Sequence, residues 1–60
     1  METHYYLKLF GPEGSCWDNG TDFSDLEDAR LVARRELESG AAVRVQISDA
    51  AGGLIEELTS

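Results

Sequence analysis

Ser24-Asp25-Leu26-Glu27-Asp28-Ala29-Arg30-Leu31-Val32-Ala33-Arg34-Arg35-Glu36-Leu37-Glu38-Ser39 is the one stretch of this 60-residue protein with a sustained helical rhythm. Ser24 and Glu27 have the spacing of a capping box, in which hydroxyl and carboxylate each take an orphan backbone N–H. Asp25, Glu27 and Asp28 fall in the first turn, where the positive end of the helix dipole favours acids. Gly40 follows the last periodic residue and suits a left-handed C-terminal cap. Leu26, Ala29, Ala33 and Leu37 form one apolar stripe, with Val32 on its flank. Two of those four are alanines, so the helix can lie close against a flat partner.

That partner is a sheet built from both flanks. Thr3 to Phe10 alternates with period two and is rich in aromatics, which reads as a strand with Tyr5, Leu7 and Leu9 on its core face. Gly11-Pro12-Glu13-Gly14 is a turn, and Ser15 to Asp18 returns as a second strand that Asn19-Gly20 breaks or bulges. Either Cys16 or Trp17 must face the helix, and Trp17 is favoured as a partial cover for the sheet edge. Phe23 is placed as a lid ahead of the helix. Ala42 to Ser48 is the clearest strand, with Val43, Val45 and Ile47 inward. Asp49 to Gly53 turns the backbone into Leu54–Thr59, where Leu54 and Leu58 share a face with Glu56 and oppose Ile55. That conflict predicts a frayed or bulged edge. The reading is a single α+β domain over residues 1–60, in the order ββαββ. Its antiparallel sheet of three to four strands carries one helix packed on one face. The expected core is Tyr5, Leu7, Leu9, Leu26, Ala29, Ala33, Leu37, Val43, Val45, Ile47 and Leu54.

The pattern of an aromatic first strand, Asp18-Asn19-Gly20, Asp25-Leu26-Glu27-Asp28-Ala29-Arg30 and a strand ending Ser48-Asp49-Ala50-Ala51-Gly52 resembles small bacterial ββαββ domains of unknown function. The resemblance implies the fold and brings no catalytic or binding residues with it. In size and acidity the protein is also similar to phage-encoded DNA-mimic inhibitors, the anti-CRISPR proteins among them.

Composition narrows the function classes. Twelve acids against five Lys and Arg give a net charge of −7, which repels phosphate backbones and anionic lipids. Neither direct nucleic-acid binding nor membrane association is expected. A protein of this size buries only about 60% of its unfolded surface, so no deep pocket can shelter a reaction. Cys16 is the sole cysteine and forms no internal disulfide, which fits a reducing, cytoplasmic setting. One His and one Cys cannot assemble a zinc site without two converging carboxylates. Asp18-Asn19-Gly20-Thr21-Asp22 lacks the alternating ligands of a calcium loop. No catalytic residue, metal or cofactor is expected.

The candidate site is acidic. Asp18, Asp22, Asp25, Glu27 and Asp28 place five acids in eleven residues with no Lys or Arg among them, and Glu56-Glu57 adds a second patch. Such a surface would dock in the cationic nucleic-acid channel of a partner protein. The alternative is a structural or regulatory domain using Tyr6, Phe10 and Trp17, as a monomer or a weak sheet-to-sheet homodimer. In that arrangement Tyr6, Lys8, Phe10, Arg44 and Gln46 occupy the sheet face away from the helix. Leu31 is expected to be exposed, and Arg34 and Arg35 to pair with Glu38.

Overall fold

A computed structural model of the protein describes residues 4–60. Its elements are β1 (Tyr5–Phe10), β2 (Cys16–Phe23), α1 (Leu26–Glu38), β3 (Arg44–Asp49) and β4 (Leu54–Thr59). The order ββαββ and the α+β class are as the sequence predicts, while the predicted strand start at Thr3 lies outside the described residues. The four strands form one sheet in the order β2-β1-β3-β4, with every neighbouring pair antiparallel. β2 therefore runs parallel to β3 with β1 between them, and α1 makes the crossover that this split arrangement needs.

One face of the sheet holds the core. Leu7, Leu9, Ala29, Ala33, Ala42, Val45 and Ile47 are buried, with Tyr5, Phe23, Leu26, Val32, Leu37 and Leu58 packed at the margin. Register explains the set. Leu7 stands opposite Ile47 and Leu9 opposite Val45, so the two central strands put four large apolar side chains under the helix. Ala29 and Ala33 are 0% exposed, which brings the helix down onto that layer.

Two expected core residues lie outside it. Val43 stands one step before β3, beyond the Leu9–Val45 pair, and is 38% exposed; Ala42 takes the buried place beside it. Leu54 is 57% exposed because β4 carries a bulge. Glu56 pairs with Ile47, but Leu54 rather than Ile55 pairs with Ser48. The extra residue turns Leu54 to the outer face, which resolves the conflict that the alternation of β4 contained.

β2 is longer than the sequence reading, which stops it at Asp18. The strand runs on through Asn19-Gly20 to Phe23, which stands opposite Tyr5. Tyr6 pairs with Asp22 and Lys8 with Asp18, so Asn19, Gly20 and Thr21 together face Leu7. Gly20 has a φ of 82°, a left-handed value that a side chain disfavours. Asn19-Gly20 therefore bulges β2 without ending it. Trp17 pairs with Leu9, a core residue, and Cys16 with Phe10, which puts Trp17 on the helix side. A Cβ on Gly11 would meet the Trp17 ring at 3.2 Å, so the indole lies over the first turn.

The helix ends differ from the sequence reading in one respect. Its N-cap is Asp25, whose Oδ1 accepts from the Glu27 N–H at 3.0 Å. The capping box predicted from Ser24 is not formed: Asp25 is the cap, and the Glu27 carboxylate pairs with Arg30. At the other end Gly40, with a φ of 82°, donates its N–H to the Leu37 carbonyl at 3.2 Å. Ala42 N–H reaches the Glu36 carbonyl at 3.2 Å, satisfying a second orphan acceptor.

Candidate functional site

The seven acids singled out in the sequence occupy two sides of the molecule. Asp18 and Asp22 lie on edge strand β2, opposite Lys8 and Tyr6, and so belong to the outer sheet face. Glu57, opposite Gln46, shares that face. Asp25, Glu27 and Asp28 stand at the entrance of α1 directly after β2. Glu56, opposite Ile47, points to the helix side.

Three of these carboxylates are tied back to the protein by Arg or Gln. Arg30 clamps two of them. Its Nη1 is 2.8 Å from Glu27 Oε1, while Nε and Nη2 each lie 2.8 Å from Glu56 Oε1. The Glu56 hydrogen bond, then its charge, and then Glu27 raise the Arg30 pKa above the ordinary guanidinium value, so this cation stays charged. The bridge joins α1 to β4 across a shallow open groove lined by Glu27, Asp28, Arg30, Leu31, Arg34 and Glu56. Glu57 accepts from Gln46 Nε2 at 2.9 Å and lies 3.7 Å from Arg44 Nε.

The remaining four acids lie along one stretch of backbone from β2 into α1. Asp18, Asp22, Asp25 and Asp28 are all exposed. Asp22 Oδ2 is 2.7 Å from His4 Nδ1. Asp18, Asp25 and Asp28 make no ion pair among the described residues. Lys8 stands opposite Asp18 in the ladder, yet its ammonium lies 5.9 Å from the centroid of the Phe10 ring. Arg34 and Arg35 likewise make no ion pair among the described residues; the expected pairing with Glu38 does not form.

The aromatic alternative is divided by the fold. Tyr6 is 45% exposed on the outer face, whereas Trp17, 40% exposed, belongs to the helix side. Phe10 is half-buried, with the Arg44 guanidinium 4.1 Å from its ring centroid, an arrangement that covers its π face with a cation. The outer face does hold Tyr6, Lys8, Phe10, Arg44 and Gln46 together by register, as the alternation implies. Sequence reasoning missed the Arg30 clamp. Its i, i+3 spacing from Glu27 was visible, but Glu56 is 26 residues away and reaches Arg30 only through the fold.

No helix among the described residues is long and apolar enough to cross a membrane. Comparison with protein-family models, with curated proteins and with solved structures finds no match.

Proposed function

We propose that the protein is a non-catalytic acidic protein-binding module, a DNA-mimic-type inhibitor that occupies the cationic nucleic-acid-binding surface of a partner protein. The observation that carries this reading is the run of exposed carboxylates from β2 into α1, Asp18, Asp22, Asp25 and Asp28, three of which have no ion-pair partner among the described residues. Glu27, Glu56 and Glu57 serve the fold more than the site, since Arg30, Gln46 and Arg44 engage them.

Charge density limits how much nucleic acid such a surface replaces. The molecule measures 37 × 18 × 17 Å, close to the girth of a duplex. A duplex of that length carries about 22 phosphates at one charge per ~1.7 Å, roughly three times the net −7. The module is suited to a local cluster of Lys and Arg, not to a whole duplex footprint.

The test is the variant Asp18→Asn/Asp22→Asn/Asp28→Asn, which spares the Asp25 cap and both Arg30 partners. Tagged wild-type protein is used to capture its partner from host lysate, and the variant is compared at equal loading. Lost capture with an unchanged thermal transition is the expected result. Capture undiminished by the three substitutions would overturn the acidic-face reading.

A further inference from the structure

We infer that Asn19 is a site of spontaneous deamidation in the folded protein, which adds a carboxylate between Asp18 and Asp22. Asn19 is the only asparagine in the sequence and is followed by Gly20. The reaction needs the Gly20 backbone nitrogen to reach Cγ of the Asn19 amide. Regular strand structure opposes this, because a ladder fixes the backbone at both residues. Four features of this strand relax that restraint.

The first is the bulge, in which Asn19, Gly20 and Thr21 face the single residue Leu7 and none has a Cα partner of its own. The second is the position of β2 at the edge of the sheet, with β1 as its one neighbouring strand among the described residues. The third is Gly20 itself, which is exposed, has a φ of 82° and has nothing among the described residues within 4 Å of where a Cβ would stand. With no side chain of its own and open space at the Cβ position, its backbone can move with little steric cost. The fourth is the Asn19 amide, which makes no hydrogen bond among the described residues and so has none to break. A groove of about 420 Å³, lined by Tyr6, Leu7, Asp18, Gly20, Thr21 and Asp22, admits water over the bulge.

The chemistry balances with water as the sole co-reactant. The deprotonated Gly20 nitrogen attacks Asn19 Cγ, a new C–N bond forms, and the Cγ–Nδ2 bond breaks with loss of ammonia. The resulting five-membered imide is opened by water at either carbonyl. One opening yields aspartate, and the other yields an isoaspartyl link in which the backbone runs through Cγ. Either product gains one negative charge, so the acidic strand becomes denser than the encoded −7.

The experiment incubates the full-length protein at mildly alkaline pH, folded in buffer and unfolded in urea, and follows the peptide containing Asn19 by mass spectrometry. The expected result is a gain of roughly one mass unit at Asn19, as mixed aspartyl and isoaspartyl products. The folded rate should lie within about thirty-fold of the unfolded rate, which is about 2 kcal/mol of local protection at 1.4 kcal/mol per tenfold. The more acidic species should separate on anion exchange, and an Asn19→Gln variant, whose attack would need a six-membered ring, should not form it on the same timescale. A folded rate slower than this thirty-fold limit would overturn the inference, since the bulge would then shield Gly20 like an ordinary ladder. The readout requires no partner, so it stands or falls apart from the proposed inhibitor function.

Discussion

Ala33→Leu tests how closely the helix is seated on the sheet. Ala33 is 0% exposed and sits in one cluster with Leu7, Leu9, Val45 and Ile47. If space remained above that layer, three added carbons would stabilise the fold by about 2.4 kcal/mol at ~0.8 kcal/mol per buried methylene. With the space filled, the larger side chain forces strained rotamers or lifts the helix, at a cost of about 1–3 kcal/mol. The two cases differ in sign. The total stability of a protein this size is about 3–9 kcal/mol at 0.05–0.15 kcal/mol per residue, so the loss is a large share of it. A domain this small loses roughly 4–8 °C of melting temperature per kcal/mol. Urea unfolding followed by Trp17 fluorescence and by far-UV circular dichroism reads the change, with Leu31→Ala on the exposed helix face as a control expected within about 0.5 kcal/mol of wild type. An Ala33→Leu protein as stable as wild type, or more stable, would refute the seating described above.

Three single contacts give further tests. Asp25→Ala should cost about 1 kcal/mol in urea unfolding, the usual worth of an N-cap, while Ser24→Ala should cost clearly less; the reverse order would restore the capping box. Leu54→Lys should leave stability within about 0.5 kcal/mol, because the β4 bulge turns this residue outward; a loss of several kcal/mol would return Leu54 to the core. Arg30→Gln should lower stability, and less so at high salt, because it removes the clamp on Glu27 and Glu56. Arg30 has a folded pKa above its unfolded one, so its contribution is fully present below the unfolded value and is lost only as pH rises through the folded value. No step in stability from Arg30 should therefore appear up to about pH 10, and salt carries the test: a loss on Arg30→Gln that is equally large at low and at high salt would show that the ion pairs with Glu27 and Glu56 do not supply it.

Most of the fold was legible because its signals are local. The helical stripe, the alternation in β1 and β3, and Gly11, Gly14 and Gly40 at the turns each act within a few residues. What the sequence left open was register. Asn19-Gly20 and the Leu54-Ile55 conflict both announced bulges, but the number of residues absorbed depends on the strand opposite. That number decided that β2 reaches Phe23 and that Leu54 leaves the core. The cap moved by one residue, to Asp25, whose carboxylate takes the Glu27 N–H, while the Glu27 side chain pairs with Arg30. The candidate site was legible as a set of acids and not as a surface. Spacing placed Glu27 beside Asp25 and Asp28 and within reach of Arg30, but only the fold shows that Arg30 also engages Glu56 and that Gln46 and Arg44 engage Glu57, leaving Asp18, Asp25 and Asp28 without an ion pair among the described residues and Asp22 beside His4.

The most direct test of the proposed function is competition between this protein and duplex DNA for one partner. Tagged protein is loaded with host lysate, washed, and challenged first with duplex DNA and then with rising salt. The account predicts that a nucleic-acid-binding protein is released by the duplex, and that any remainder leaves as salt screens the carboxylates. A partner that stays bound through both the duplex and high salt would contradict it.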